Sequence, residues 1–228
     1  MIELKKEYSN PFNWTGSKHR YLKDLFDVLP CGDGLKVLDP FVGGGDLISK
    51  LPASWVITAS DKNSQLIDMH RGIQCGSITT ANVIEMMHIM DLSDSDIYAY
   101  GELRSAYNAG HDDPILLYLL ICHSNTNRMR FNQKGEFNMP FGERTFNKSM
   151  QKKLDNYVAA LKAHNIRFHN DDFISCEFDY YGLLLLDPPY QNTTAVYNEQ
   201  GGWSLNDEIH LYSKTSSAAS KGTKFVMF

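Results

Sequence analysis

Cysteine is scarce in this chain and follows no pairing or metal-binding pattern. Four cysteines occur, far apart, at Cys31, Cys75, Cys122 and Cys176. No C-x-x-C pair and no histidine at metal-ligand spacing accompanies them, so we expect reduced thiols and no metal site. A metal-dependent nuclease is also disfavoured, because such enzymes cluster several carboxylates and Asp171-Asp172 alone is too little.

Long apolar runs are absent as well. No stretch approaches the roughly 18 apolar residues that a membrane span needs. The N-terminal residues MIELKKEYSN carry charges but no apolar core after them, so we expect no secretory signal and a cytoplasmic protein. With 43% hydrophobic and 21% charged residues, the chain of 228 residues suits one buried α/β domain plus a smaller insert.

The charge distribution is uneven. A net charge of −5 argues mildly against a nucleic-acid partner. Between Arg128 and Lys153, however, seven basic side chains are opposed only by Glu136 and Glu143, which leaves a local charge of +5. This segment is either the solvated face of a surface helix at 148–153 or a phosphate-facing patch, and charge alone leaves both interpretations open.

Short apolar runs alternate with stretches of helical character, which is typical of a doubly wound parallel sheet. We predict strands at 35–39, 55–60, 182–186 and 224–228, and helices that begin at 46, cover 63–71 and cover 115–122. The run GLLLL at 182–186 suits a central strand buried on both faces. Asp39, Asp61 and Asp187 close three strands, at the edge where such sheets bind ligands.

The strongest chemical motif is Asp187-Pro188-Pro189-Tyr190, directly after GLLLL. The prolines stiffen the loop, so that the Pro188 carbonyl can point into a cleft beside the Asp187 carboxylate. These two acceptors can hold both hydrogens of an amino group on a planar ring and expose its lone pair to a methyl donor. Tyr190 offers a flat face for stacking the ring. The alternative is a proline turn with a surface tyrosine.

A glycine-rich turn, DPFVGGG at 39–45, follows the first predicted strand. Its glycines allow a tight turn and a close approach to a ligand, and the pattern differs from the G-x-G-x-x-G of dinucleotide sites. Asp61, after the next strand, could accept both ribose hydroxyls of a nucleoside cofactor or cap the following helix. The glycine turn upstream favours the ribose.

The DPPY tetrapeptide resembles the catalytic motif of amino methyltransferases, and the 39–45 turn is similar to their loop around the methionine part of S-adenosylmethionine. Upstream, Phe12-Asn13-Trp14-Thr15-Gly16-Ser17-Lys18 resembles the N-terminal cofactor motif of Dam-type DNA adenine methyltransferases. Without that resemblance, Trp14 would be a core residue and Lys18 a surface residue. The order of these motifs, with a polar insert at 124–147 before DPPY, is that of the Dam group of bacteria and phages.

The resemblance runs from Phe12 to the end of the chain and implies an α/β fold. The implied fold is that of a Rossmann-like, S-adenosylmethionine-dependent methyltransferase with a mainly parallel sheet. The implied catalytic domain covers 1–75 and 165–228, and a helical or hairpin target-recognition insert covers 76–164. The implied reaction is direct methyl transfer to a flipped adenine of a GATC-like site in double-stranded DNA. The implied cofactor contacts are Trp14, Lys18, Asp39, Phe41, Gly43, Asp61, Phe173 and Asp187.

The insert residues Gly135–Gly142 closely resemble the target-recognition segment of Dam enzymes. The implied DNA-recognition residues are Asn127, Arg128, Arg130, Pro140 and Arg144. Arg130 and Arg144 are expected to contact bases, since the guanidinium fork matches O6 and N7 of guanine. Lys148, Lys152 and Lys153 are expected to contact phosphates.

Dam enzymes usually continue past the strand that 224–228 resembles. We therefore expect a truncated chain without the final C-terminal strands, and a five-stranded sheet whose last strand lies on an open edge. An active adenine methyltransferase and an inactive DNA-binding relative both remain possible. An RNA or protein amino methyltransferase is disfavoured by the insert. Carbon-5 cytosine methylation is disfavoured because Pro30-Cys31 lies upstream of the glycine turn. We take a monomer as the default, and the biological role stays open.

Overall fold

The computed structural model describes residues 10–14, 22–189 and 202–228, and the predicted α/β fold is confirmed. The strands are β1 (Lys36–Asp39), β2 (Val56–Ser60), β3 (Asn165–His169), β4 (Leu183–Leu186) and β5 (Lys224–Met227). The helices are α1 (Leu22–Val28), α2 (Ser64–Cys75), α3 (Thr80–Ile89), α4 (Ile97–Asn108), α5 (Pro114–His123), α6 (Lys148–Ala163) and α7 (Leu205–Ser220).

The strands form one parallel sheet in the order β3-β2-β1-β4-β5. The chain runs outward from β1 to β3 and then returns to place β4 on the other side of β1. The strand order therefore reverses between β1 and β4, and open α/β sheets bind their ligands in the crevice beyond the strand ends at such a point. The five strands and the edge position of β5 agree with the prediction.

The central strand β4 is buried on both faces, as GLLLL indicates. Alternate residues of one strand point to opposite faces, and β1 and β4 divide their side chains between two apolar cores. The larger core takes Val37, Leu183 and Leu185 and is covered by α2, α5 and α6. The smaller core takes Leu38, Leu184 and Leu186 and is covered by Leu211 and Ala218 of α7.

The region 76–164 shares the larger core with the sheet, because the buried residues 117–122 of α5 belong to the same cluster as Ile57 of β2. Within this region, 124–147 holds the short turn Asn125–Asn127 and two antiparallel bridges, Ser124↔Phe141 and Phe131↔Phe137. This agrees with the predicted loop or hairpin character. The division into a catalytic domain and an insert stays a prediction.

Two differences from the sequence-based expectations concern the edge of the sheet and the glycine turn. Strand β3 was not predicted, because NIRFH is short and alternates between exposed and buried residues at a sheet edge. The helix expected from 46 onward is one turn, Ile48–Lys50. Leu51 then becomes extended with ψ 164°, as a residue before proline prefers.

Candidate functional site

Three acidic residues lie at the carboxyl edge of the sheet, as predicted from the strand ends. Asp39 is the last residue of β1, and Asp61 and Asp187 directly follow β2 and β4. Since these three strands are adjacent and parallel, the acids border the crevice where the strand order reverses. Asp39 is buried and accepts a hydrogen bond at Oδ1 from the Phe41 backbone N–H at 3.1 Å.

Asp61 holds the glycine turn against the end of β2. Its Oδ2 accepts from the Gly43 N–H at 3.1 Å, and its Oδ1 accepts from the Asn63 N–H at 3.0 Å. Burial raises the pKa of Asp61, and these two backbone donors oppose that rise. The cap of α2 is Asn63, whose side chain accepts from Leu66 N–H, so Asp61 is not the helix N-cap. Each carboxylate oxygen keeps a second lone-pair direction for a ligand hydroxyl.

Trp14 packs directly on the glycine turn. A Cβ added to Gly43 would lie 2.5 Å from Trp14 Nε1, and one added to Gly44 would lie 2.8 Å from Trp14 Cβ. Gly43 also has φ +49°, a left-handed conformation that suits glycine. The structure therefore brings the predicted residues Trp14, Gly43 and Asp61 together.

A buried histidine supports the same turn through its backbone carbonyl. His70 of α2 lies 2.8 Å from Gly43 O through Nε2 and 3.0 Å from the Tyr157 hydroxyl through Nδ1. Burial lowers the pKa of His70 to about 4, so the ring is neutral at pH 7. Because a carbonyl only accepts, Nε2 carries the proton, and Nδ1 accepts from the Tyr157 hydroxyl of α6.

The end of the glycine turn is fixed by a buried ion pair. Lys50 is 1% exposed. Its ammonium group donates to the Asp46 carbonyl at 3.0 Å and also to the Asp46 carboxylate. A buried ammonium group requires such partners, so Lys50 anchors the chain directly after Gly45.

Three aromatic rings meet beside the turn. Phe41 and Phe173 lie 5.5 Å apart between ring centroids, and Trp203 lies 5.8 Å from Phe41 and 5.3 Å from Phe173. Trp203 donates from Nε1 to Glu208 Oε2 at 2.8 Å. The predicted cofactor residues Phe41 and Phe173 are therefore neighbours, and Trp203 joins them in an apolar group suited to a planar ring.

The residues of the DPPY motif are only partly described. Asp187, Pro188 and Pro189 are half-buried after β4. Phe228 N–H donates to Leu186 O at 3.0 Å and so extends the β5 pairing up to the motif. Tyr190 and Lys18 lie outside the described residues.

The segment 124–147 is clamped onto the helices. The Asn108 side chain of α4 donates to Phe137 O at 3.1 Å and accepts from Phe137 N–H at 2.8 Å. The Tyr100 hydroxyl, also on α4, donates to Met139 O at 2.8 Å. Phe137 is buried. These contacts hold the hairpin in one position on α4.

The predicted recognition residues occupy different environments. Arg128, Pro140 and Arg144 are exposed, and Arg130 is half-buried. Arg130 donates to Asn138 from Nε at 2.7 Å and from Nη2 at 2.9 Å, which leaves three of its five N–H bonds without a partner among the described residues.

Asn127 is buried behind Arg144. Its Oδ1 accepts from Arg144 Nη1 at 3.3 Å, and its Nδ2 donates to Cys122 O at 2.8 Å. Asn127 therefore faces the protein, and Arg144 faces solvent.

The sequence motifs assign no role to several residues that shape this site. They are Asn13, Lys50, His70, Asn108, Tyr157 and Trp203. His70, Tyr157 and Lys50 sit among ordinary helical residues, so their hydrogen bonds to distant backbone groups left no local pattern. Trp203 could have been predicted as a site residue from its position between the DPPY motif and the start of α7.

Two absences within the described ranges are relevant to the site. None of the helices there combines the length and the apolar character that a membrane crossing requires. Among residues 10–14, 22–189 and 202–228, no three His, Cys, Asp or Glu side chains are grouped as a metal site would need.

Residues 14–228 match the model of the D12 class N6 adenine-specific DNA methyltransferases. The chain is 30% identical over 243 residues to the type II methyltransferase M.FokI of Planomicrobium okeanokoites, with 99% of this chain and 37% of that protein covered. It is 28% identical to the modification methylase StsI of Streptococcus sanguinis, with 98% and 35% covered.

A third relative is shorter. The DNA adenine methylase of Escherichia coli K12 is 26% identical over 207 residues, which cover 87% of this chain and 72% of that protein. The chain thus spans little more than a third of the two modification methylases.

Proposed function

Because the chain belongs to the D12 class of N6 adenine-specific DNA methyltransferases, we propose that it transfers a methyl group from S-adenosylmethionine to the exocyclic amine of an adenine in a short double-stranded DNA site. The observation that carries this proposal is the joint position of the glycine turn, Asp61 and the Asp187-Pro188 loop at the point where the strand order reverses. The resemblance of the sequence motifs to the Dam group implies the same reaction.

The residues beside the turn fit S-adenosylmethionine. Gly43 has no side chain, and Trp14 packs into the space that a Cβ would need, so the turn and Trp14 together form one wall of the proposed site. Asp61 offers carboxylate lone pairs for two ribose hydroxyls, and Phe41 and Phe173 offer apolar faces for an adenine ring. Asp39, Asp187 and Lys18, the last of which lies outside the described residues, complete the proposed set. When bound, the cofactor supplies an electrophilic methyl group on a sulfonium.

Asp187 and Pro188 act on the target base. Their side-chain and backbone oxygens accept hydrogen bonds from the two N–H groups of the adenine amine and direct its lone pair at the methyl group. Pro189 keeps the loop stiff. Tyr190, outside the described residues, stacks on the base after it leaves the duplex. The C–N bond forms as the bond from sulfur to the methyl group breaks, S-adenosylhomocysteine leaves as a neutral thioether, and the methylated nitrogen releases one proton. No covalent enzyme intermediate is required.

The basic side chains between Arg128 and Lys153, called the basic face below, contact the duplex. Arg144 and Arg130 present N–H donors that match the O6 and N7 acceptors of guanine, and Arg128 and Pro140 line the same segment. Asn127 is buried beneath Arg144 and orients its guanidinium group by accepting a hydrogen bond at Oδ1. Lys148 and Lys152 are exposed at the start of α6 and contact phosphates. We propose a GATC-like target.

Transfer of labelled methyl from S-adenosylmethionine to duplexes with GATC, with GTAC or without adenine tests the function. Label in an adenine-containing duplex alone supports adenine methylation, and label in GATC alone supports the target as well. Label in the adenine-free duplex would overturn the proposal. Binding of the GATC duplex with no label on any DNA would favour a DNA-binding relative that lacks activity.

A further inference from the structure

The N-terminal segment 10–14 lies between the DNA-recognition segment and the glycine turn, and it contacts both. We propose that Asn13 is a positioning residue that couples DNA recognition to the cofactor site. This inference rests on the proposed function, because it concerns how the two proposed binding sites influence each other.

Asn13 makes two hydrogen bonds to the recognition segment. Its backbone N–H donates to Asn127 O at 3.2 Å, and its side-chain Nδ2 donates to Thr126 O at 2.6 Å. The acceptors are more than a hundred residues away in the chain. Asn13 is exposed, so its side chain is not required to fill the core.

The two acceptor residues have an unusual backbone. Thr126 has φ 63° and Asn127 has φ 51°. Positive φ is uncommon outside glycine, and for a β-branched residue such as threonine it is an outlier. Such a conformation persists only where surrounding contacts hold it. Asn13 binds the carbonyls of both residues, so it holds this turn in place.

The same turn carries the side chain that orients Arg144. Asn127 Oδ1 accepts from Arg144 Nη1 at 3.3 Å, and Arg144 is exposed on the basic face. A duplex that engages Arg144 therefore acts on Asn127 and, through its carbonyl, on Asn13.

On the other side, the residue after Asn13 covers the glycine turn. Trp14 closes the space beside Gly43 and Gly44, and Asn10 Nδ2 would lie 2.5 Å from a Cβ at Gly44. The segment is also fixed from the core, where the buried Tyr118 hydroxyl donates to Pro11 O at 3.2 Å. Because the segment is held at Pro11, a displacement of Asn13 also displaces the adjacent Trp14.

Linkage makes this coupling reciprocal: if DNA tightens cofactor binding, the cofactor tightens DNA binding by the same factor. We expect the coupling factor of the wild-type chain to be about fivefold or more, within the usual range for coupled sites. Asn13→Ala removes the Thr126 hydrogen bond and should bring the factor close to one. Asn13→Gln keeps an N–H donor and should restore part of it.

The test is calorimetric titration of the full chain with S-adenosylhomocysteine, which permits no turnover. The titration is run without DNA and with a saturating amount of whichever duplex of the methylation panel binds most tightly. Asn206→Ala is the matched control, since Asn206 is exposed at the start of α7. Thermal melting verifies that the variants are folded.

A factor that falls in Asn13→Ala, recovers in Asn13→Gln and is unchanged in Asn206→Ala supports the inference. Two results would overturn it while leaving the proposed function intact. One is a wild-type factor of one. The other is an Asn13→Ala variant that weakens both ligands but keeps the factor. A wild-type chain that binds neither ligand would overturn the proposed function itself, and the inference with it.

Discussion

The Nε2 atom of His70 donates a hydrogen bond to the backbone carbonyl of Gly43 at 2.8 Å. Gly43 is therefore held through its carbonyl by a buried, neutral imidazole and through packing by Trp14. Tyr157 of α6 donates to the other ring nitrogen, and His70 stacks on Phe168 with the rings 4.9 Å apart. The glycine turn is thus fixed to the core by His70 on one side and by Trp14 on the other.

Replacement of His70 should weaken both the fold and the cofactor site. His70→Phe leaves the Gly43 carbonyl and the Tyr157 hydroxyl without a partner, and each unsatisfied buried group costs about 1–3 kcal/mol. We expect a loss of about 2–4 kcal/mol in the free energy of unfolding, measured with urea. S-adenosylhomocysteine binding should also weaken. His88→Phe, on the exposed end of α3, is the control. A His70→Phe variant with an unchanged free energy of unfolding would show that the hydrogen bonds of His70 to Gly43 and Tyr157 do not stabilise the fold.

The lowered pKa of His70 should make the fold sensitive to acid. Histidine titrates near pH 6.5 in the unfolded chain and, for His70, near 4 in the folded protein. Between these values the unfolded state binds more protons, so the free energy of unfolding rises with pH. The contribution of His70, up to about 3 kcal/mol, is fully present above pH 6.5 and is lost as pH falls toward 4.

Urea unfolding between pH 7 and pH 4 measures this dependence. Asp61 acts with the opposite sign, because burial raises its pKa above the usual carboxyl value. Its contribution to the free energy of unfolding is present at low pH and is lost as pH rises through its folded pKa. The difference between wild type and His70→Phe isolates the histidine. We expect the variant to show a flatter profile, and equal slopes in both proteins would refute the assignment.

A methyl group at Gly43 should block the site, whereas the same group at Gly34 should not. Both glycines have positive φ, +49° and +68°, so alanine meets a similar backbone strain at each. Only at Gly43 would the new Cβ collide with Trp14, since nothing lies within 4 Å at Gly34. We expect Gly43→Ala to weaken S-adenosylhomocysteine binding by about tenfold or more in calorimetry, equivalent to about 1.4 kcal/mol. An equal effect of the two substitutions would contradict a role for the close packing of Trp14 on Gly43 in cofactor binding.

Arg144 and Lys152 should differ in their effect on DNA. If Arg144 reads a base as proposed, Arg144→Ala should relax site choice by about 1–3 kcal/mol at one base pair. If Lys152 contacts a phosphate as proposed, Lys152→Ala should weaken all duplexes alike, with a salt slope reduced by about one. Competition binding on single-base variants of the preferred site separates the two. If Arg144→Ala weakens every duplex equally, Arg144 contacts only phosphate.

The central part of the fold was predictable because it rests on local patterns. GLLLL is apolar at every position since β4 is buried on both faces, and each acid at a strand end follows such a run. Parallel strands then bring Asp39, Asp61 and Asp187 to one edge without further information.

The contacts that fix the site were not predictable, because they join residues remote in the chain. His70 reaches Gly43 across 27 residues, Tyr157 reaches His70 across 87, and Asn13 reaches Thr126 across 113. A single histidine or asparagine in an ordinary stretch has no pattern that names its partner. Strand β3 was missed for a different reason: its two buried residues, Ile166 and Phe168, are too few to stand out from a loop.

Identification of the methylated nucleoside tests the central claim most directly. The wild-type chain and Asp187→Asn, which keeps the shape of the side chain but exchanges one acceptor oxygen for a donor, are incubated with S-adenosylmethionine and the preferred duplex. The DNA is then digested and analysed by mass spectrometry, and cofactor binding is measured in parallel. We expect N6-methyladenine from the wild type and none from Asp187→Asn, with the variant still binding S-adenosylhomocysteine. Methylated cytosine, or equal product from the variant, would contradict the account.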